Sequence, residues 1–293
     1  MKTDFICIGQ AVIDCITRGQ ENDPYKENVF RAERISLHTG GDAVNESYRL
    51  SGMGYQVKLV CGLGNDLAGS ILLSEAKKRG IDVSCVTMTD RLVTPVANLM
   101  VRKDGTRYSI NSSATRLEGY IPEEESVKGA KIVSFASLFR APLDDPEVIK
   151  RLIVSAYEDG AVISCDTKLP TFRHVPLEEL KDVLPLIHYI FPNEKEAAFY
   201  TGEKEYPAMA EKLHAFGIPN VIIKTGSEGC FASLEEGRYS LPAPDVPVVD
   251  TTGAGDSFVA GFLSGVLAGR SRKECLEAAL RTAGECVQHM GAI

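Results

Sequence analysis

Hydrophobic and polar positions follow each other along the chain in two kinds of block. Short runs of apolar and β-branched residues are typical of buried strands, and the longer amphipathic stretches between them predict helices. The predicted strands are Phe5–Ile8, Val57–Cys61, Ile132–Phe135, Ala161–Cys165, Tyr189–Phe191 and Val221–Lys224. The predicted helices include Leu67–Arg79, Pro146–Glu158 and Tyr206–Phe216. Buried strands that alternate with helices indicate an α/β fold whose parallel sheet is covered on both faces.

Two segments, Phe30–His38 and Thr94–Ile110, interrupt this alternation because neither has an amphipathic helical pattern. The second alternates like a strand, reaches a turn signal at Asp104-Gly105 and resumes over Thr106–Ile110. Such a pattern predicts a β-hairpin. We therefore expect a small β structure apart from the main sheet.

Composition and charge exclude several classes of protein. Residues are 44% hydrophobic and 25% charged, which is ordinary for a globular protein. The net charge is −8 and no Lys/Arg cluster occurs, so nucleic-acid binding has little electrostatic support. No signal peptide or membrane-length apolar run is present, and the eight cysteines form no C-x-x-C pair. We expect free thiols, a cytoplasmic protein, and no membrane or nucleic-acid partner.

The segment DTTGAGD at residues 250–256 is the most informative for function. Gly253, Ala254 and Gly255 precede a small-residue helix, whose first N–H groups are unpaired and form a backbone anion site. Asp256 places a carboxylate beside that site, where it would repel a phosphate. A base that accepts the proton of an attacking hydroxyl explains the carboxylate. The alternative is a capped helix start, because Asp is a favoured N-cap.

At these residues the chain resembles the ribokinase-like (PfkB) carbohydrate kinases, with fructokinase and ribokinase as the most similar types. The DTTGAGD segment matches the second signature of that family, and GGDAVN at 40–45 matches its Gly-Gly-x-x-x-Asn segment. Further matches are GLGNDLAG at 62–69, NEKE at 193–196 and KTGSEG at 224–229. The motifs occur in family order from residue 9 to residue 291. The resemblance thus covers nearly the whole chain.

The resemblance implies a fold and an activity. We expect one ribokinase-like domain over residues 1–293, a three-layer α/β/α sandwich with a mostly parallel central sheet. A small β lid is expected from segments at about 12–38 and 90–112, and such lids often pair two subunits into a homodimer. The activity is that of an ATP-dependent kinase acting on a primary hydroxyl of a fructose- or ribose-like sugar, with Mg²⁺.

Family matches also place the sugar. Asp14 follows the first strand, at the edge where open α/β sheets bind ligands, although a solvated loop residue is the alternative from sequence alone. The remaining expected sugar residues are Gly40, Gly41, Asp42, Asn45 and Arg107. Asp42 stands where ribokinases have Lys. Its added negative charge argues against an acidic or phosphorylated substrate.

The phosphate end of the site is expected around two further motifs. Asn193 and Glu196 lie three apart at a strand-to-helix junction and could organise the waters of Mg²⁺. A capping-box pair is the alternative. The loop that follows Val221–Lys224 is expected over the nucleotide, with a plain β-turn as its alternative. The expected nucleotide residues are Asn193, Glu196, Lys224, Thr225, Gly226, Gly229 and Thr252.

Relatives often hold K⁺ near the anion turn, and five positions of this chain match their ligands. These are Asp250, Thr252, Cys286, His289 and Gly291. Other nucleotide sites are excluded, because Leu67 stands where a G-x-G-x-x-G motif needs its last Gly and no Gly-Lys pair of a P-loop occurs.

Two other functions remain open. A nucleoside kinase of the same family would need aromatic residues to stack a base, and the candidates are Phe30, Tyr108 and Phe139. A catalytically silent sugar-binding regulator would not need Asp256. Its presence in an intact Gly-Ala-Gly turn therefore favours an enzyme.

Overall fold

Two sheets organise the part of the chain that the computed structural model describes, residues 3–20, 32–103 and 107–291. The larger sheet has nine strands in the order β13-β12-β11-β10-β9-β8-β1-β4-β5. They are β1 (Thr3–Ile8), β4 (Val57–Gly64), β5 (Asp82–Thr89), β8 (Ala130–Leu138), β9 (Val162–Thr167), β10 (Tyr189–Ile190), β11 (Val221–Lys224), β12 (Cys230–Leu234) and β13 (Gly237–Leu241). All pairings are parallel except those of β12 with β11 and β13. All six predicted strands are present, whereas β5 was not predicted.

Helices cover both faces of this sheet. They are α1 (Asp42–Gly52), α2 (Leu67–Lys78), α3 (Pro146–Glu158), α4 (Glu194–Thr201), α5 (Tyr206–Ala215), α6 (Ala254–Leu267) and α7 (Arg272–Cys286). One apolar core contains Ile149 of α3, Ala197 of α4 and Met209 of α5. The second core, on the other face, contains Val44 of α1 and Phe262 of α6. The fold is therefore the predicted three-layer α/β/α sandwich.

The smaller sheet is the predicted lid. It consists of β2 (Val12–Gln20), β3 (Arg34–Gly40), β6 (Val96–Arg102) and β7 (Arg107–Asn111), in the order β3-β2-β6-β7. The predicted hairpin is confirmed, since β6 and β7 pair antiparallel. The predicted turn at Asp104-Gly105 lies outside the described residues, as does Phe30.

Glycines of α6 allow this helix to pack closely against α7. A Cβ added to Gly261 would lie 2.8 Å from the carbonyl oxygen of Ala278, and one on Gly265 would lie 2.8 Å from Cys275 Sγ. Both approaches are too close for a side chain, so the contact between the two helices depends on glycine. The packing fixes α6, and with it the position of its N-terminus.

Two further expectations concern the surroundings of the protein. Within the described ranges, no helix is long and apolar enough to cross a membrane. All eight cysteines are free thiols, six of them buried, as the sequence predicted.

Candidate active site

The glycine turn forms the start of α6. Gly253 has φ 74° and caps the helix, a left-handed conformation that favours glycine. Ala254 N–H lies 3.3 Å from the carbonyl oxygen of Thr251. A Cβ on Gly255 would lie 3.4 Å from Lys224 Nζ, so an ammonium stands beside the turn. A helix N-terminus with an adjacent cation is suited to binding an anion.

Asp256 lies in the first turn of α6 and is only 5% exposed. Its Oδ2 accepts a 2.7 Å hydrogen bond from Asn45 Nδ2, and its Oδ1 lies 3.6 Å from Lys168 Nζ. Burial, and then the nearby Asp42 carboxylate, raise the pKa of Asp256 to about 7. A carboxylate with this pKa can take up a proton near neutral pH.

A cluster of charges extends from Asp256 across the carboxyl ends of the strands. Lys168 Nζ lies 3.1 Å from Asp42 Oδ1 and 3.1 Å from Asp166 Oδ2. Asp166 Oδ1 in turn lies 2.5 Å from Lys224 Nζ. Sequence reasoning missed Lys168 and Asp166. Their place at the end of β9, where ligands of such sheets bind, was the signal that could have found them.

The expectation for Asp42 changes with this geometry. Burial alone would raise its pKa, but Lys168 and a hydrogen bond from Ser137 outweigh that effect and hold the pKa below its ordinary value. Asp42 is therefore an ionised partner of Lys168 instead of an unbalanced negative charge. Lys168 thus compensates the charge on which the argument against an acidic or phosphorylated substrate rested, and that argument stays a prediction.

The expected sugar residues meet where the lid joins the main sheet. Asp14 is the third residue of β2, not a residue of the loop after β1 as its sequence position suggested. A Cβ on Gly40 would overlap the Asp14 carboxylate, and one on Gly41 would lie 2.5 Å from the carbonyl oxygen of Gln10. Burial, Asp42 and Asp250 raise the pKa of Asp14 to about 6. The side chain of Arg107 lies outside the described part of the structure.

One face of the lid is turned toward the catalytic turn. The strand register places Asp14, Arg18 and His38 on the same face. Arg18 Nη2 lies 3.5 Å from the carbonyl oxygen of Val249, and a Cβ on Gly291 would lie 3.0 Å from His38 Nδ1. The face that carries Asp14 therefore covers the loops that flank Asp256.

Asn193 and Glu196 form the capping box of α4, as the alternative interpretation held. Asn193 Oδ1 accepts from the N–H groups of Lys195 and Glu196. Glu196 Oε2 accepts from Asn193 N–H at 2.8 Å and Thr167 Oγ1 at 3.2 Å. Burial raises the pKa of Glu196, although Lys224 opposes the shift. Glu196 lies near Lys224, Asp166 and Lys168, and its Oε1 is the oxygen not used by the cap.

The loop after β11 is a tight turn beside two cavities. Thr225 N–H donates to Gly229 O at 3.0 Å, and Gly229 N–H donates to Gly226 O at 3.2 Å. A cavity of about 310 Å³ opens beside this loop, and a groove of about 580 Å³ adjoins it between β13 and α7. Leu241 and Pro242 line both spaces. The loop is thus the β-turn of the alternative interpretation, and it lies next to these two open spaces.

All five residues expected at a K⁺ site come together behind the turn. Asp250 Oδ1 accepts from Thr252 Oγ1 at 2.8 Å, and its Oδ2 accepts from Gly291 N–H at 3.1 Å. Cys286 Sγ donates to Thr252 O at 3.4 Å, and His289 N–H donates to Cys286 O at 3.2 Å. Hydrogen bonds therefore already engage both oxygens of the Asp250 carboxylate.

A central sheet, a lid and a buried carboxylate beside a helix N-terminus suit the binding of a small molecule together with an anion. Comparison with known proteins shows to which enzyme family the chain belongs. The sequence model of the pfkB family carbohydrate kinases matches residues 2–293. The chain belongs to this family, so the predicted carbohydrate kinase, a phosphotransferase with an alcohol group as acceptor, is confirmed.

Named relatives fit this assignment. A 2-dehydro-3-deoxygluconokinase of Haemophilus influenzae is 30% identical over 274 residues, which cover 87% of each protein. A ribokinase of Arabidopsis thaliana is 30% identical, over 93% of this chain and 73% of the relative. The structure of Arabidopsis thaliana ribokinase complexed with ribose and ATP superposes with a TM-score of 0.84 at 26% identity, over 100% of this chain and 95% of that one.

Proposed function

We propose that this carbohydrate kinase transfers the γ-phosphoryl group of ATP to a primary hydroxyl of a fructose- or ribose-like sugar. The observation that carries the proposal is the pairing of Asp256, buried with a pKa of about 7, with the glycine-capped start of α6. A base and an anion site side by side suit a hydroxyl attacking a phosphate. The relative that was solved with ribose and ATP supports the same donor and acceptor classes.

The sugar lies between the central sheet and the lid in this proposal. Asp14 accepts hydrogen bonds from hydroxyls, Gly41 allows the backbone to approach the ring, and Asn45 holds the base. Asp256 takes the proton of the attacking hydroxyl. The N–H groups of Gly253, Ala254 and Gly255 stabilise the charge on the transferred phosphoryl group, for which Ala254 must release the carbonyl of Thr251.

The nucleotide lies along the loop of residues 224–229 and beside Thr252. Lys224 supplies positive charge next to the anion turn, because its Nζ approaches Gly255. Thr225, Gly226 and Gly229 border the cavity of about 310 Å³ or shape the turn beside it. The apolar rim at Leu241 and Pro242 is suited to the base of the nucleotide.

Of the two residues expected to organise Mg²⁺, Asn193 and Glu196, only Glu196 suits that role. Asn193 Oδ1 caps α4, so Asn193 acts by holding the helix. Glu196 Oε1 is not used by the cap and suits a water-mediated contact with Mg²⁺, which keeps most of its own waters. When bound, Mg²⁺ neutralises the phosphates of the nucleotide. In this proposal Glu196 holds one of the waters that surround the ion.

The side chains of residues 250–252 and 286–291 fit K⁺ less well than Glu196 fits Mg²⁺. Because hydrogen bonds occupy both Asp250 oxygens, an ion there depends on main-chain carbonyls of these segments. We propose this K⁺ site behind the anion turn. Activity in KCl that exceeds activity in choline chloride at equal ionic strength tests it, and equal activities contradict it.

A nucleoside substrate is less well supported than a sugar. Phe139 is fully buried and packs on Tyr200, with ring centroids 4.4 Å apart. The strand register places Tyr108 on the lid face opposite Asp14. Neither of these two aromatic candidates is therefore available to stack a base over the site.

The outer lid face supports the proposed homodimer. Its exposed side chains are Ile35 67%, Leu37 61%, Ile110 54%, Tyr108 40% and Val96 37%. Register places all five on the face opposite Asp14. An apolar sheet face of this kind needs a partner. A second copy fits, since two such faces can cover each other around a two-fold axis.

The free cysteines are consistent with a reducing compartment. All eight cysteines are unpaired, and disulfides are rare where glutathione and thioredoxin keep thiols reduced. We propose a cytoplasmic enzyme on this ground.

A substrate panel tests the proposed function. We expect ADP release from ATP and Mg²⁺ with at least one of ribose, fructose or a related sugar, and no comparable release with nucleosides. The Asp256→Asn variant is the matched control, and its sugar-dependent release should be slower by about 10²–10⁴. Release with nucleosides alone would overturn the sugar assignment.

A further inference from the structure

Lys168 is the cation nearest the base, and no motif of the sequence marks it. It directly follows β9, and its backbone is fixed on both sides. Its N–H donates to Leu138 O at 2.9 Å, and Tyr200 donates to its carbonyl oxygen at 2.8 Å. The side chain is only 15% exposed. Its ammonium is therefore delivered to one defined place.

Three carboxylates from three different elements meet at this ammonium. Asp42 of α1 and Asp166 of β9 each lie 3.1 Å from Nζ, and Asp256 of α6 lies 3.6 Å away. An ammonium loses hydration when it is buried, so it needs such partners to stay charged. Burial lowers the pKa of Lys168, but the carboxylates outweigh this and hold the pKa well above its ordinary value. Lys168 is thus a permanent positive charge beside the base.

We propose that Lys168 is a positioning residue for phosphoryl transfer: anchored by Asp42 and Asp166, its ammonium keeps the Asp256 carboxylate ionised and oriented against Asn45. The inference rests on the proposed role of Asp256 as base and adds a residue to it. Asn45 holds Oδ2 and Lys168 faces Oδ1, so the two contacts define the plane of the carboxylate.

The other charges around Asp256 make Lys168 the decisive cation. Carboxylates face the cluster from α1 (Asp42, Glu46), β9 (Asp166) and α4 (Glu196). Among the described residues, further cations nearby are Lys224 of β11, Arg140 of the loop after β8 and Arg49 of α1, whose Nε donates to Ser257 Oγ at 3.3 Å. Lys224 pairs with Asp166, and Arg140 Nε donates to Leu169 O. Without Lys168, Asp256 would face mainly negative neighbours.

The proposal therefore predicts opposite effects of two substitutions. Lys168→Met removes the cation with little change in length, so the pKa of Asp256 should rise. Asp42→Asn removes a carboxylate that repels the base and releases Lys168 toward it, so the pKa of Asp256 should fall. An opposite charge within 4–6 Å typically moves a carboxyl pKa by about 1–3 units.

The pH dependence of kcat/KM, which reports groups of the free enzyme, measures these shifts. We expect the upper acidic pKa to rise by about one unit or more in Lys168→Met, to fall in Asp42→Asn, and to stay near the wild-type value in Lys168→Arg. Lys212→Met is the control, because it removes an exposed lysine of α5 that the proposed site does not use. A uniform loss of activity in Lys168→Met without a shift, or an equal shift in Lys212→Met, would overturn the proposal.

A second readout does not need turnover. The difference in Tm between Asp256 and Asp256→Asn proteins, measured from pH 4 to 9, follows the ionisation of Asp256. In the Lys168→Met background this difference should keep growing to a pH about one unit higher before it levels off. An unchanged profile contradicts the proposal. A wild-type protein that phosphorylates no sugar would instead contradict the proposed function, while the Tm profiles still report the contact between Lys168 and Asp256.

Discussion

Asn45 and Asp256, which lie 211 positions apart in the sequence, are joined by a 2.7 Å hydrogen bond from Asn45 Nδ2 to Asp256 Oδ2. The bond connects α1, which begins after the two glycines at the sugar end, to α6, which begins at the anion turn. Since both helix starts are fixed by packing, the base has a defined orientation. The orientation of the Asp256 carboxylate is therefore set by the fold itself.

The pH dependence of kcat/KM should show two ionisations on the acidic side. Asp256 must be ionised to take a proton, and its pKa is about 7. Asp14 has a pKa of about 6 and must be ionised to accept hydroxyls. We expect kcat/KM to fall with slope one below pH 7 and more steeply below pH 6. A profile that is flat down to pH 5 would exclude both assignments.

Asp256→Asn should raise the stability of the fold near neutral pH. Because the pKa of Asp256 in the folded protein lies above the ordinary value of 3.8, the folded state binds more protons than the unfolded state between pH 4 and 7. Stability therefore falls as pH rises through this window. A neutral Asn removes the penalty, which is about 1.4 kcal/mol per pKa unit.

Thermal unfolding checks this sign. The Tm of Asp256→Asn minus that of wild type should be near zero at pH 4 and should grow to several degrees by pH 8. Asp245→Asn, which changes an exposed carboxylate, is the control and should show no such growth. A variant that is less stable than wild type at pH 8 would contradict the raised pKa of Asp256 in the folded protein.

Gly40→Ala should weaken sugar binding. A Cβ at this position overlaps the Asp14 carboxylate, which must then move away from the hydroxyls that it accepts. We expect the KM for sugar to rise about 10-fold or more with a smaller effect on the KM for ATP. Gly52→Ala is the matched control, since its Cβ would meet nothing within 4 Å. Equal effects on both substrates would show general damage instead.

The outer lid face predicts a homodimer. Light scattering at micromolar concentration should give twice the chain mass of 31.8 kDa. Leu37→Glu, which places a charge on the apolar face, should give the monomer mass. Tyr157→Glu, at an exposed site on α3, should leave the dimer intact. A wild-type protein of monomer mass would refute the lid interface.

The elements that the sequence predicted well are those with a strong period. Pro146–Glu158 was predicted with the bounds that the structure has, because its apolar stripe, its Asp145 cap and its first-turn proline agree. β5 (Asp82–Thr89) was missed because its side chains are exposed or half-buried, and no apolar run marks it. Its pairing with β4 decides its conformation, which no local pattern shows.

The site was predictable to the extent that its residues lie in motifs. Asp256, Asn45 and the glycine turn were all named from sequence. Lys168 and Asp166 were missed, because only their place at the end of β9 marks them and their role depends on charges from α1 and α6 that reach them in the folded chain. The expected negative charge at Asp42 is compensated for the same reason, because its partner Lys168 lies far away in the sequence and on another element.

The central claim is that Asp256 is the base, and a direct comparison of binding with turnover tests it. Asp256→Asn, bound to the sugar that the substrate panel identifies, should keep a sugar affinity near that of wild type by calorimetry. Its kcat with ATP and Mg²⁺ should fall by about 10²–10⁴, the range for losing general-base catalysis. A folded variant that binds sugar and turns over near the wild-type rate would contradict the account.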